Sequence, residues 1–189
     1  MDAFEEIVAG IFEGMGYWVR RSYKVLLTKE EKRKIKIPTS PRLEIDLLAY
    51  LPGKKDLRVI ECKSFFNSRG VSAYSLFGVN AKRGKKYKLF NNIELRRVVF
   101  NRLVKQLADA GACPRDITPV LWLAAGKIRQ GDEATVREGL RSIDCQILTP
   151  MELADMVREA AASRYENNIA VMVSKLLKQA GYLKSKEEG

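Results

Sequence analysis

Leu43-Glu44-Ile45-Asp46-Leu47-Leu48-Ala49-Tyr50, then Pro52-Gly53-Lys54-Lys55-Asp56, then Leu57-Arg58-Val59-Ile60-Glu61-Cys62-Lys63 is the most informative stretch of this chain. Two aliphatic runs of strand length flank a cluster of turn-forming residues, the pattern of a β-hairpin. Side chains alternate across a strand, so Glu61 and Lys63 share one face and Cys62 takes the other. The hairpin brings Asp46 across from them, which gathers two carboxylates and one ammonium on a single patch. Leu47-Leu48 and Val59-Ile60 mark both strands as largely buried, and a buried charge needs a partner or a metal. The same residues also suit a plain cross-strand ion pair.

Working outward, Phe4, Ile7, Val8, Ile11, Phe12 and Met15 fall at helical spacing, with Asp2 as N-cap, Glu5 at N3 and Gly16 as the stop. Tyr17 to Leu27 reads as a strand. Thr28 to Lys36 is charge-dense and is expected to be a loop or an exposed hairpin tip, with Pro38 and Pro41 framing a turn. Beyond the hairpin, Asn67 to Lys88 is rich in Gly, Ser and Lys and is expected to cross the surface as a loop. A helix is expected from Asn92 to Ala110, and Pro119 to Ala125 is a continuous apolar run suited to a strand covered on both faces. Glu133 to Ser142 reads as a helix and Cys145 to Leu148 as a short strand. Thr149-Pro150-Met151-Glu152 then starts a helix running to about Ala162. A last helix covers Ala170 to Ala180. The order predicts an α/β fold: a mixed β-sheet flanked by helices on both faces, with one domain over 1–162 and a C-terminal helical extension over 163–189.

Composition narrows the chemistry. The 189 residues contain no histidine, which removes Ser-His and Cys-His hydrolases, HNH-type nucleases and histidine-ligated zinc enzymes. No GxxxxGK[ST] or GxGxxG element occurs, which argues against nucleotide-fuelled or dinucleotide chemistry. Cys62, Cys113 and Cys145 have no zinc-ligand spacing and read as reduced thiols of a cytoplasmic protein. Asp2, Glu5 and Glu6 are unlike a basic signal-peptide start, and no apolar run is long enough for a membrane span. The 34 Lys and Arg against 23 Asp and Glu leave a net charge of +11. That surplus favours a polyanionic partner.

Two carboxylates, a backbone carbonyl and waters make a seat for Mg²⁺, which prefers oxygen ligands. Such a metal lowers the pKa of water and neutralises a phosphate in flight. Lys63 could orient the water or stabilise the phosphorane oxygens. On a helical wheel at about 100° per residue, Glu5 flanks the apolar stripe of Phe4, Val8, Ile11 and Met15. From there it could reach toward the hairpin, in addition to its capping position. Gln106 falls within the apolar face of its helix and Arg102 at the edge, as candidates for a phosphate contact or, for Gln106, a satisfied buried amide. Arg20, Arg21 and Lys24, then Lys32, Arg33, Lys34 and Lys36, then Lys82, Arg83, Lys85, Lys86 and Lys88 are candidate DNA-backbone contacts or solvated loop charge.

Glu44-Ile45-Asp46-Leu47-Leu48-Ala49, the hairpin, and Val59-Ile60-Glu61-Cys62-Lys63-Ser64 resemble the core motif of the PD-(D/E)xK, or restriction-endonuclease-like, nucleases. The pattern is most similar to the Mrr-like restriction endonucleases and the archaeal Holliday-junction resolvases. Phe4-Glu5-Glu6-Ile7-Val8 leading to Gly16-Tyr17-Trp18-Val19 resembles their leading helix and first strand. Pro119-Val120-Leu121-Trp122-Leu123, Ile147-Leu148-Thr149 and Met151-Glu152-Leu153-Ala154 resemble the Mrr carboxyl-terminal half. Glu44 stands in the segment where the motif names a proline, and Pro41 lies five residues before Asp46. The resemblance implies a Mg²⁺-dependent DNA endonuclease, with Mn²⁺ able to substitute, acting in restriction or in DNA repair and recombination. It implies Asp46, Glu61 and the Cys62 carbonyl as metal ligands, Lys63 as the catalytic lysine and Glu5 as an auxiliary acid. A homodimer, with a separate specificity or partner subunit as an option, is expected on the same ground. A module of this fold that holds nucleic acid without cutting is the alternative.

Overall fold

The structure, a computed structural model, describes residues 2–36, 43–78, 86–162 and 168–181. Helix α1 (Ala3–Gly14) starts at Asp2, whose carboxylate accepts the Glu5 N–H at 2.9 Å, the exchange expected of an N-cap. Strands β1 (Trp18–Val25), β2 (Leu43–Leu51) and β3 (Asp56–Lys63) make an antiparallel meander. A 3-10 turn at Pro52–Lys54 closes the hairpin. Strand β4 (Val120–Ala125) pairs in parallel with β3, and β5 (Cys145–Leu148) in parallel with β4. The result is a five-stranded mixed sheet in the order β1-β2-β3-β4-β5.

Helices cover both faces, so the molecule is α/β. Helix α5 (Ile93–Asp109) and helix α6 (Glu133–Arg141) pack Leu95, Val99, Leu103, Val136 and Leu140 onto one face, against Ile45, Leu48, Val59, Leu121 and Leu123. On the other, α1 and helix α7 (Pro150–Ala162) pack Phe4, Val8, Phe12 and Leu153 against Leu47, Ala49, Ile60, Cys62 and Ala124. Each fully buried side chain of this size contributes about 1.5–3 kcal/mol. Helix α8 (Ile169–Gln179), from the expected extension, lies against α1 and α7. Its N-cap Asn168 sits on Gly10 of α1, where a Cβ would collide with the amide.

Two expectations about loops need correction. Lys29–Lys34 is a short helix, α2, because Thr28 and Glu31 form a reciprocal capping box that satisfies its first N–H groups. Within the expected 67–88 loop, Ala73–Phe77 is helical (α3), capped by Ser72 and packed through the buried Leu76. The next helix, α4 (Lys88–Asn91), begins at that loop's end. The turn expected at Pro38 and Pro41 lies outside the described residues.

One irregularity positions the site. Leu47, Ala49 and Leu51 pack toward α1, so strict alternation would send Ile45 there as well, yet Ile45 packs toward α5. Strand β1 does the same: Val19 packs toward α1 and Arg21 bonds Glu6 and Glu13 of that helix, whereas Tyr23 and Val25 pack toward α5. Both strands therefore change face at one rung, between Ser22 and Asp46. Ser22 has a left-handed backbone with φ 49°, which costs a non-glycine residue about 1–2 kcal/mol. Neighbouring rungs pair Arg21 with Leu47 and Tyr23 with Ile45.

The opposite end of the sheet is closed. Arg58 lies over Trp122, Tyr17 and Phe12, at 4.5, 4.9 and 5.5 Å from their ring centroids, and pairs with Asp56 at 2.8 Å. Tyr17 donates its hydroxyl to Asp56 at 2.6 Å. This half-buried cation is neutralised and stacked, and it is remote in register from Asp46.

Candidate active site

The ladder between β2 and β3 runs from Leu51↔Asp56 to Leu47↔Ile60, while β3 continues along β4 through Glu61, Cys62 and Lys63. The face change at Asp46 leaves its side chain directed across the sheet rather than to either side. There its Oδ2 accepts the Cys62 main-chain N–H at 2.7 Å, standing in for the missing ladder bond. Regular alternation on β3 puts Glu61 and Lys63 on the α5 side and buries Cys62 against α1. The expected convergence of Asp46, Glu61 and Lys63 is therefore present.

Its geometry centres on the ammonium. Lys63 Nζ donates to the Cys62 carbonyl at 3.0 Å and to Glu61 Oε2 at 3.5 Å, and lies 3.6 Å from Asp46 Oδ2. Side-chain exposures are 19% for Lys63, 16% for Glu61 and 24% for Asp46, so the group is partly desolvated and open on one side. Three oxygens from two strands thus point at a single cationic position. They are the same three that the sequence nominated for a metal.

Electrostatics tie α1 to this group. Burial, and then the neighbouring Asp46 charge, push Glu61 up to about 7, with Lys63 opposing. Glu5 is also raised, first by burial and next by Asp46, which places its carboxyl within the field of the site. Burial pulls Lys63 down, but Glu61 and Asp46 more than offset it, and the ammonium is held above its ordinary value. The Cys62 thiol is pushed far up, chiefly by burial, and is not a nucleophile.

Among the described residues, no three His, Cys, Asp or Glu side chains form a metal-binding group. A divalent cation would instead rest on Asp46, Glu61 and the Cys62 carbonyl, an all-oxygen set that suits Mg²⁺ or Mn²⁺. That the Lys63 ammonium already collects these oxygens is the structural evidence that the donor set fits a cation. Lys63 would have to yield the position.

Other nominated residues lie elsewhere. Gln106 is a satisfied amide: its Oε1 accepts the Leu26 N–H at 2.7 Å and its Nε2 donates to the Lys24 carbonyl at 3.3 Å, stitching α5 to the end of β1. Arg102 is likewise committed, through Nε, to the Glu31 carboxylate of α2 at 2.9 and 3.1 Å. Arg21 is held by Glu6 and Glu13. Arg20 is exposed, and Lys86 is exposed with its ammonium 5.6 Å from the Phe65 ring centroid. Lys82, Arg83 and Lys85 lie outside the described residues. Gln106→Ala and Arg102→Ala are each expected to lower stability by about 1 kcal/mol. Thermal melts of each variant check this, and a melt unchanged from wild type would overturn the assignment.

The pairing of two loops into a rim was missed from sequence. Loop residues after β3 and after β4 are zipped together: Val71 N–H donates to the Lys127 carbonyl at 2.9 Å, and Arg129 N–H donates to the Val71 carbonyl at 2.8 Å. Gly126 N–H donates to the Lys63 carbonyl at 2.9 Å, which anchors this rim to β3. Only the parallel pairing of β3 with β4 brings these loops together, and no local signal in the sequence reports it.

No protein-family model matches the chain, and no curated protein matches it. Among solved structures, the crystal structure of a protein of unknown function, AF1548, is similar at 13% identity and a TM-score of 0.38, over 94% of this chain and 77% of that one. Among the described residues no helix is long and apolar enough to cross a membrane.

Proposed function

We propose that this chain is a divalent-metal-dependent endonuclease hydrolysing DNA phosphodiester bonds, in restriction or in repair and recombination. The observation that carries this reading is the convergence of Asp46, Glu61 and the Cys62 carbonyl on one cationic point beside Lys63. A bound Mg²⁺ or Mn²⁺ supplies Lewis-acid activation of water and neutralises phosphate charge. Asp46, Glu61 and the Cys62 carbonyl would hold it, and the Cys62 N–H bond fixes the orientation of Asp46. Lys63 turns from its carboxylate partners to the attacking water or to a phosphate oxygen, where its charge stabilises what develops in the transition state. Glu5, on the other face, is the proposed auxiliary acid, a reading supported by the influence of the Asp46 charge on its carboxyl. The net charge of +11 suits a polyanionic substrate, and two-fold pairing of subunits suits cleavage of both strands of a duplex.

A second reading, a DNA-holding module that does not cut, is favoured by one observation. Lys63 already neutralises both carboxylates internally, as a structural ion-pair network would. Cleavage of plasmid, methylated plasmid, four-way junction, flap and single strand with Mg²⁺, Mn²⁺ or EDTA separates the two. Wild type is expected to cut only with metal, and Lys63→Ala to cut about 10²–10³-fold more slowly. Tight binding by wild type with no cutting under any metal would favour the non-cutting module.

A further inference from the structure

Phe66 stands three residues after the end of β3, and it is 59% exposed. Its exposure is built. Phe65 before it has a left-handed backbone, φ 49°, and the two consecutive aromatic rings go to opposite sides. Phe65 packs onto the α5-side core, whereas Phe66 meets Phe4 edge-on, with ring centroids 5.7 Å apart and planes at 88°. Phe4 neighbours Glu5 on α1. The same ring rests on Gly126, where a Cβ would come 2.9 Å from its Cζ and 2.6 Å from the Ser64 carbonyl. Phe4 and Gly126 therefore hold the ring in place and leave the rest of it open.

Cations share its two loops. Arg69 on the same loop, and Lys127 and Arg129 on the loop zipped to it, are all exposed. Every one of them follows the carboxyl end of β3 or β4, the end at which Glu61 and Lys63 stand, and sheets with parallel strands bind ligands beyond those ends. An aromatic platform among cations is the arrangement that holds an unpaired nucleotide, with the base stacked on the ring and the phosphates on the cations. A base inside a duplex is already stacked on its neighbours and offers no free face.

We infer that Phe66, with Arg69, Lys127 and Arg129, forms a binding rim for an unpaired DNA strand at the end of the sheet that carries the Asp46–Glu61–Lys63 group. Resting on the nuclease reading, this selects substrates that present an unpaired nucleotide next to the cut: a flap, a fork or a single strand rather than continuous duplex.

The test is binding in EDTA, where no cutting occurs, of a single strand, a splayed fork and a duplex of one sequence, each carrying 2-aminopurine. Phe66→Leu is expected to weaken single-strand and fork binding roughly ten- to hundredfold, to leave duplex binding unchanged and to abolish the 2-aminopurine response. Phe66→Tyr keeps both. Lys127→Ala with Arg129→Ala weakens binding to all three DNAs and flattens its salt dependence. A Phe66→Leu protein that melts like wild type and binds all three DNAs as wild type does overturns the rim, even if metal-dependent cutting stands. Phe66-dependent strand binding by a protein that never cuts sustains the rim and retires the nuclease reading instead.

Discussion

Asp46→Asn is expected to fold normally, to keep its hydrogen bond to Cys62 and to lose metal-dependent cleavage by about 10²–10³-fold. Asp46 performs two tasks through Oδ2. That oxygen accepts the Cys62 N–H at 2.7 Å and lies 3.6 Å from the Lys63 ammonium, whose place a metal cation would take. An asparagine oxygen can accept the same N–H, so the amide separates the structural task from the chemical one. Asp46→Ala removes both and leaves the part-buried Cys62 N–H without its acceptor, for a further stability loss of about 1–3 kcal/mol. Comparing the two by thermal melting and by cleavage of the preferred DNA checks the division. Asp46→Asn cutting at the wild-type rate with Mg²⁺ would sink its role as a metal ligand.

Glu61→Gln is expected to make the metal-free protein more stable at pH 8, by on the order of 1–3 kcal/mol, or several degrees in melting temperature. The sign follows from proton counting. An unfolded Glu61 titrates near 4.5, whereas in the folded chain burial, and next Asp46, raise it to about 7. Between those pH values the folded state binds the extra proton, so stability falls as pH rises, and above 7 that loss is complete. Glu5 and Asp46 repel the Glu61 charge and Lys63 attracts it, with repulsion and burial prevailing. A divalent cation would relieve the same strain, so wild type should gain melting temperature from Mn²⁺ at pH 8 and little at pH 5. Glu61→Gln should gain little at either pH. Melts of both proteins at the two pH values, with and without Mn²⁺, decide the matter. A glutamine variant less stable than wild type at pH 8 without metal would show that Lys63 holds Glu61 favourably after all.

Much of this was legible because the signals were local. Alternation and a Pro-Gly turn define the hairpin, and Thr149-Pro150-Met151-Glu152 announces a capped helix whose bonds are present, Thr149 N–H to Glu152 at 2.7 Å and Glu152 N–H to Thr149 at 3.3 Å. The same signal at Thr28 and Glu31 was hidden by a run of charge with no apolar stripe to give it a period. A helical wheel indicated the direction of Gln106 and Arg102 but not what stands there, and β1 and α2 are far from both in sequence. The face change at Ser22 and Asp46 had no signature, since serine carries no preference that would announce a left-handed backbone. It is nonetheless what aims the Asp46 carboxylate.

That shared rung makes β1 and β2 a single heritable unit. A chimera that imported only one of them from a regularly alternating hairpin would keep its residues in order but carry the two strands out of step. Ile45 or Tyr23 would then be delivered to the wrong layer, and Asp46 would turn away from Cys62. Recombination or design that respects this protein must therefore cut outside 18–51 and move the pair together.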